Sequence, residues 1–117
     1  MVKSTPLVSV IIPCYNHEKY IGRCIRSLLN QDINKDDYEI IVVDDGSTDN
    51  SSKVLNNFMN DINLIKNDNN YGLPASLNKA IKISRSPFII RVDSDDYVNS
   101  DFISLSLKSL INNSDID

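Results

Sequence analysis

Tyr38-Glu39-Ile40-Ile41-Val42-Val43 is a β-branched, mostly apolar run that passes directly into Asp44-Asp45-Gly46-Ser47. A short apolar run closed by an Asp-Gly turn reads as a strand buried on both faces. Upstream, Val8-Ser9-Val10-Ile11-Ile12 has the same character and ends in Pro13-Cys14-Tyr15-Asn16. Downstream, Phe88-Ile89-Ile90-Arg91-Val92 repeats it and ends in Asp93-Ser94-Asp95-Asp96. Ile62 to Lys66 is a weaker strand, expected at the periphery.

The segments between these runs carry helical spacing. From Glu18 to Gln31, the residues Ile21, Cys24, Ile25, Leu28 and Leu29 recur at three- and four-residue steps. That pattern predicts an amphipathic helix, capped by Asn16 or His17. A second helix is expected from about Asp49, with Val54, Leu55, Phe58 and Met59 turned inward. Asn67 to Leu73 reads as a loop. Pro74 suits the first turn of a third helix, where its missing N–H costs nothing. Leu77, Ala80 and Ile81 would face the core. Ser100 can cap a last helix whose apolar residues include Ile103, Leu107, Leu110 and Ile111.

The order βαβαβαβα predicts an α/β fold, a Rossmann-like, mostly parallel sheet with helices on both faces. Right-handed crossovers bring the C-terminal ends of all strands to one edge. Ligands bind at that edge, where the strand order reverses. The three polar clusters, far apart in sequence, are therefore expected to converge.

Size and composition bound the reading. The chain has 117 residues, 41% hydrophobic and 24% charged, as expected for one globular domain over residues 1–117. A formal net charge of -4 argues against a nucleic-acid partner, which needs cations to displace counterions. Cys14 and Cys24 are too few for a disulfide scaffold and read as small buried apolar residues with free thiols. The first apolar run is too short to span a membrane. A soluble, cytoplasmic chain is expected.

Asp93, Asp95 and Asp96 are crowded carboxylates. Like charges raise each other's pKa unless a cation intervenes. Mn²⁺ or Mg²⁺, held by carboxylates and substrate phosphates, would supply one. A solvated acidic turn capping the next helix is the competing reading. Asp44 and Asp45 have only Asp49 nearby, so a metal fits less well there. A strand-end carboxylate can accept hydrogen bonds from a base or ribose, or simply form an Asp-Gly turn. Tyr15 can stack on a base or pack under its loop. His17, the only histidine, lacks zinc-ligand partners and reads as a cap or an exposed residue. No Gly-rich phosphate loop and no G-x-S-x-G elbow occurs, which leaves phosphate binding to a metal.

Taken in order, Val8-Ser9-Val10-Ile11-Ile12-Pro13-Cys14-Tyr15-Asn16, Ile41 to Asp49, Asn70-Tyr71-Gly72, Asn78 and Asp93-Ser94-Asp95-Asp96 resemble the start of a family 2 glycosyltransferase of the GT-A fold. The resemblance covers about residues 7–112. It implies that Pro13 and Tyr15 lie against a nucleotide base. It implies that Asp45 hydrogen-bonds the base, with Asp44 beside it, and that Asn70 and Asn78 help line the pocket. Asp93-Ser94-Asp95 would be the Asp-x-Asp motif, with Asp93 near ribose and metal, Ser94 at the nucleotide and Asp95 the direct metal ligand. Asp96 is the usual neighbour. The implied donor is a nucleotide-sugar, most often a UDP-sugar, and the cofactor is Mn²⁺ or Mg²⁺. Transfer to an acceptor hydroxyl would invert the anomeric carbon, in bacterial polysaccharide or glycoconjugate synthesis.

The chain departs from the family's pattern at Leu77, where many members have Arg, and at Ser86-Pro87, where many have Gly. Lys79 and Arg91 are candidate replacement cations. Family catalytic domains are longer, and Asp115-Ile116-Asp117 stands where a next strand is expected. The resemblance therefore implies the N-terminal, donor-binding half. The acceptor half, of glycan, lipid-linked or protein specificity, and the general base would lie outside it, so no catalytic base is assigned here and the isolated half is expected to be inactive. Regions outside it could also bring the protein to the inner membrane. An uncovered sheet edge makes a homodimer a further expectation. The alternatives are a nucleotide-binding module without catalysis, and a phosphoacceptor receiver domain, whose paired acids would follow the first strand.

Overall fold

In the computed structural model, which describes residues 5–113, the two long apolar runs lie side by side in parallel. They are β1 (Val8–Cys14) and β2 (Tyr38–Asp44), in register from Val8 opposite Tyr38 to Cys14 opposite Asp44. β3 (Asn63–Lys66) pairs with β2, and β4 (Phe88–Arg91) pairs with β1. The order is β3-β2-β1-β4 and every pairing is parallel. The helices between and after the strands are α1 (Ile21–Leu29), α2 (Ser51–Asn56), α3 (Leu73–Ile83) and α4 (Phe102–Asn113). A 3-10 turn over Lys35–Asp37 precedes β2. The expected strand start at Asp115 lies outside the described residues.

Alternate residues of the central strands face opposite sides, as the pleat requires. Val8, Val10, Ile12, Tyr38, Ile40 and Val42 pack with Ile25 and Leu28 of α1, Leu55 of α2 and Ile103 of α4. Ile11, Ile41 and Val43 pack with Ala80 and the half-buried Leu77 of α3. Each fully buried Leu or Ile contributes roughly 1.5–3 kcal/mol of burial free energy. The sheet is thus covered on both faces. Among the described residues β4 is an edge strand, and its half-buried and exposed residues alternate.

The α3 side of the sheet holds a polar group that the apolar reading of β2 passes over. Glu39 is buried. Its carboxylate accepts the Ser9 hydroxyl at 2.5 Å, the Arg85 backbone N–H at 2.9 Å and Asn63 Nδ2 at 3.3 Å. A buried carboxylate is tolerable only when hydrogen-bonded in this way. The network fastens the end of α3, because Ser84 Oγ also donates to Ser9 Oγ at 2.8 Å.

Several local expectations are corrected. α1 begins at Ile21, and its cap residue Tyr20 makes no side-chain capping bond. Neither Asn16 nor His17 caps it through its side chain. Instead the His17 carbonyl accepts the N–H groups of Tyr20 and Ile21. Met59 is exposed because α2 ends at Asn56 and the following turn carries it outward. Ile81 is exposed because α3 lies on the sheet through Ser76, Leu77 and Ala80, leaving Ile81 at the rim. Ile111 is exposed on α4, whereas Ile103 is buried.

Ser100 is not the side-chain cap of α4. Gln31 Oε1 accepts the Ile103 N–H at 2.9 Å, while Gln31 Nε2 donates to Asn99 O at 2.8 Å. The end of α1 therefore holds the start of α4. Among the described residues no helix is long and apolar enough to cross a membrane.

Candidate functional site

The chain moves from β1 to β2 to β3 on one side, then returns to place β4 on the other side of β1. The reversal lies between β1 and β4, where the carboxyl ends of two strands open a crevice. A cleft of about 420 Å³ lies at this edge, lined in part by Pro13, Tyr15, Asp45, Asn70, Asp93 and Asp95. A larger hollow of about 580 Å³ involves Lys35, Tyr38, Glu39, Asn63 and Arg85, near the amino ends of β2 and β3. The acidic loops lie at the smaller cleft.

The loop after β1 is fixed to the loop after β2. Asn16 adopts a left-handed conformation with φ 54°, which Asn tolerates better than most residues. Its Oδ1 accepts the Thr48 N–H at 2.8 Å and the Asp49 N–H at 3.2 Å. Its own N–H donates to Ser47 Oγ at 3.0 Å. His17 N–H donates to Ser51 Oγ at 3.0 Å. Burial disfavours the Asp49 carboxylate, but hydrogen bonds from Ser51 and from the Glu18 N–H outweigh it and hold its pKa below the ordinary value.

Gly46 allows the sharp turn after β2. Its φ is +73°, and a Cβ there would lie 2.5 Å from the Asn69 carbonyl carbon. Asp44 is buried beneath this turn and accepts the Ser47 N–H at 3.1 Å.

Asp45 is 5% exposed and organises the loop that leads to α3. Oδ1 accepts Asn67 Nδ2 and the Tyr71 N–H, both at 2.8 Å. Oδ2 accepts the Gly72 N–H at 2.9 Å. Burial alone would raise its pKa, but the bonds from Tyr71, Asn67 and Gly72 outweigh it and hold the carboxyl below the usual range. The Ser76 hydroxyl leans on the same carboxylate and favours its charge. That contact falls short of hydrogen-bond geometry, so Ser76 Oγ is buried without a partner among the described residues. Oδ2 keeps capacity to accept from a ligand.

Beyond β4, Asp93, Asp95 and Asp96 are exposed, and one oxygen from each lies within 4.8 Å of the others. Arg91 Nη2 lies 3.0 Å from Asp93 Oδ1. Asp96 Oδ2 accepts the Asp93 N–H at 3.3 Å. Three clustered hard oxygen donors suit Mg²⁺ or Mn²⁺. Ser94, between the first two acids, is buried, and its hydroxyl is hydrogen-bonded to His17 Nδ1.

Most of the residues singled out in the sequence therefore meet. Pro13, Tyr15, Asp45, Asn70, Asp93, Ser94 and Asp95 all line the cleft. Asp44 and Asn78 are not among its lining residues. Arg91 lines it, whereas Lys79 donates to Asn67 Oδ1 at 2.6 Å and sits 5.0 Å from the Tyr71 ring centre. His17 and Ser76 also line it, and sequence reading missed both. Cys14 and Cys24 are buried free thiols. Burial, mainly, pushes their pKa values up to about 11 and about 12. They are protonated at neutral pH and poor nucleophiles.

The sequence pattern of glycosyl transferase family 2 matches residues 9–116. The chain belongs to this family. Membership sets aside the receiver-domain alternative. The chain is 45% identical over 98 residues to a poly(ribitol-phosphate) beta-glucosyltransferase of Bacillus spizizenii, covering 80% of this chain and 16% of that protein. Staphylococcus aureus TarS 1-349, solved in complex with UDP-GlcNAc, superposes with a TM-score of 0.81 at 36% identity. The match covers 92% of this chain and 32% of that one. A mannosyltransferase of Pyrobaculum calidifontis, solved with GDP-Man and Mn²⁺, gives a TM-score of 0.84 at 25% identity. That match covers 92% of this chain and 33% of the other. The family 2 chain thus spans a third or less of the relatives named here, and the GT-A architecture is common to the structural matches.

Proposed function

We propose that this chain is the donor-binding part of a family 2 glycosyltransferase that transfers a sugar from a UDP-sugar to an acceptor hydroxyl. The observation that carries the reading is the meeting of Asp45 and the Asp93–Asp95 pair in one cleft at the β1/β4 crevice. Binding of UDP-GlcNAc by the S. aureus relative supports the choice of nucleotide.

In this reading the base lies against Pro13 and Tyr15, with Asn70 at its edge. Asp45, ionised and fixed by the backbone of Tyr71 and Gly72, accepts an N–H of the base through Oδ2. Asp44 supports the turn beneath it. Asn78, exposed on α3, is left out of the set. Asp93 and Asp95 would hold a divalent ion, with Asp96 beside them. When bound, such an ion supplies Lewis-acid stabilisation of the departing diphosphate. Arg91 keeps one positive charge beside Asp93 and is placed to neutralise phosphate oxygens.

The proposed displacement inverts the anomeric carbon. The acceptor oxygen forms its bond there as the bond to the diphosphate oxygen breaks. The hydroxyl proton goes to a base that this chain does not contribute. The rest of a longer catalytic domain is proposed to pack along the open β4 edge and to supply that base and the acceptor site. Without it the chain would bind donor and not turn over. Two buried free thiols support a reducing, cytoplasmic setting.

The test is calorimetric titration with UDP, in Mn²⁺ and then in EDTA. Binding that is tighter in Mn²⁺ than in EDTA supports the proposal. No binding by the folded chain in either buffer contradicts it.

A further inference from the structure

We infer that His17 is a positioning residue, whose ring holds the Ser94 hydroxyl and thereby the loop that presents Asp93 and Asp95. The inference rests on the reading of this cleft as a metal-dependent donor site and adds to it a support on another loop. Asp93, Asp95 and Asp96 are exposed and crowded, and their mutual repulsion opposes a compact loop. The restraints within the loop are weak. Asp96 bonds only locally to Asp93, and the Arg91–Asp93 pair is about half exposed on both sides. Exposed ion pairs contribute little. Cys24 Sγ approaches Asp93 O at 3.5 Å, a weak thiol bond.

Ser94 is the one member of Asp93–Asp96 that is buried, at 2% exposure. A buried hydroxyl needs a partner, and His17 Nδ1 provides it. It is the one hydrogen bond between residues 13–18 and residues 93–96 among the described residues. The backbone of His17 is itself held. Its N–H donates to Ser51 Oγ at 3.0 Å, and its carbonyl accepts the N–H of Tyr20 and of Ile21. The ring also meets the Tyr20 ring edge-on, with centres 5.9 Å apart. The acidic loop is thus referenced to the β1 loop, and so to the place where Pro13 and Tyr15 would receive the base.

Partners that orient metal ligands from behind change metal affinity without touching the metal. His17→Ala is expected to weaken Mn²⁺-dependent UDP binding by roughly tenfold or more. UDP affinity in EDTA should stay as in wild type. His17→Asn, whose carboxamide reaches the position of Nδ1, should restore most of the loss. Ser94→Ala should reproduce the loss, and the double variant should lose no more than either single one. Thermal melting shows which variants fold; if His17→Ala does not, Ser94→Ala and His17→Asn carry the comparison. Wild-type affinity in His17→Ala, or an equal loss in EDTA, overturns the positioning role while leaving the donor-site reading standing. A wild-type chain whose UDP binding ignores Mn²⁺ overturns the metal-dependent reading itself, and this inference with it.

Discussion

The carboxylate of Asp45, at the end of β2, accepts the backbone N–H of Tyr71 at 2.8 Å, 26 residues further along the chain. That bond, with its neighbour from Gly72, fixes the loop that enters α3 and holds Asp45 at the wall of the cleft. Asp45→Ala would strand both N–H groups. Stability should fall by about 1–3 kcal/mol, the cost of leaving such groups unpaired, measured by urea unfolding. UDP affinity should also fall, equally with Mn²⁺ and in EDTA. Unchanged affinity would confine Asp45 to a structural part.

The same hydrogen bonds set a pH dependence. Asp45 and Asp49 both have folded-state pKa values below their ordinary ones. In the unfolded chain each titrates near 3.9, so the unfolded state binds more protons as pH falls. The stabilisation is therefore fully present above about pH 4–5 and is lost as pH drops through the folded values. Urea midpoints measured from pH 6 down to pH 3 should decline, and Asp45→Asn should flatten part of that decline.

Gly46 cannot be replaced cheaply. A methyl group would meet the Asn69 carbonyl at 2.5 Å in a left-handed turn. Gly46→Ala should cost at least about 1 kcal/mol in a urea melt. A wild-type midpoint would show that the 67–72 loop can shift away.

The thiols give an independent check on the packing. With pKa values near 11 and 12 and full burial, Cys14 and Cys24 should resist iodoacetamide at pH 8 while the chain is folded. Both should react on adding denaturant. Prompt labelling of the folded chain would contradict the burial of α1 against β1.

The strands and their parallel pairing were legible because β1 and β2 are nearly continuous apolar runs joined by helices, a pattern with few other structural solutions; the strand order came only with the structure. The acidic clusters were legible because a parallel sheet leaves its strand ends on one edge. Long-range polar contacts were not. His17 and Ser94 lie 77 positions apart, and no periodicity links two polar side chains that meet across loops. Glu39 was hidden for a related reason: its partners Ser9, Asn63 and Arg85 come from three other segments. The caps failed where side chains from elsewhere served the helix ends, as Gln31 serves α4. Ile81 and Met59 failed because helical spacing marks a stripe but not how far the neighbouring sheet or helix extends under it.

The most direct test of the central claim compares the wild type with Asp95→Ala in titrations with UDP, in Mn²⁺ and in EDTA. Asp95 is exposed, so the variant should fold as the wild type does. The account predicts metal-dependent UDP binding in the wild type and its loss in Asp95→Ala. Equal, metal-dependent binding by both would contradict the assignment of the acidic loop as the metal site.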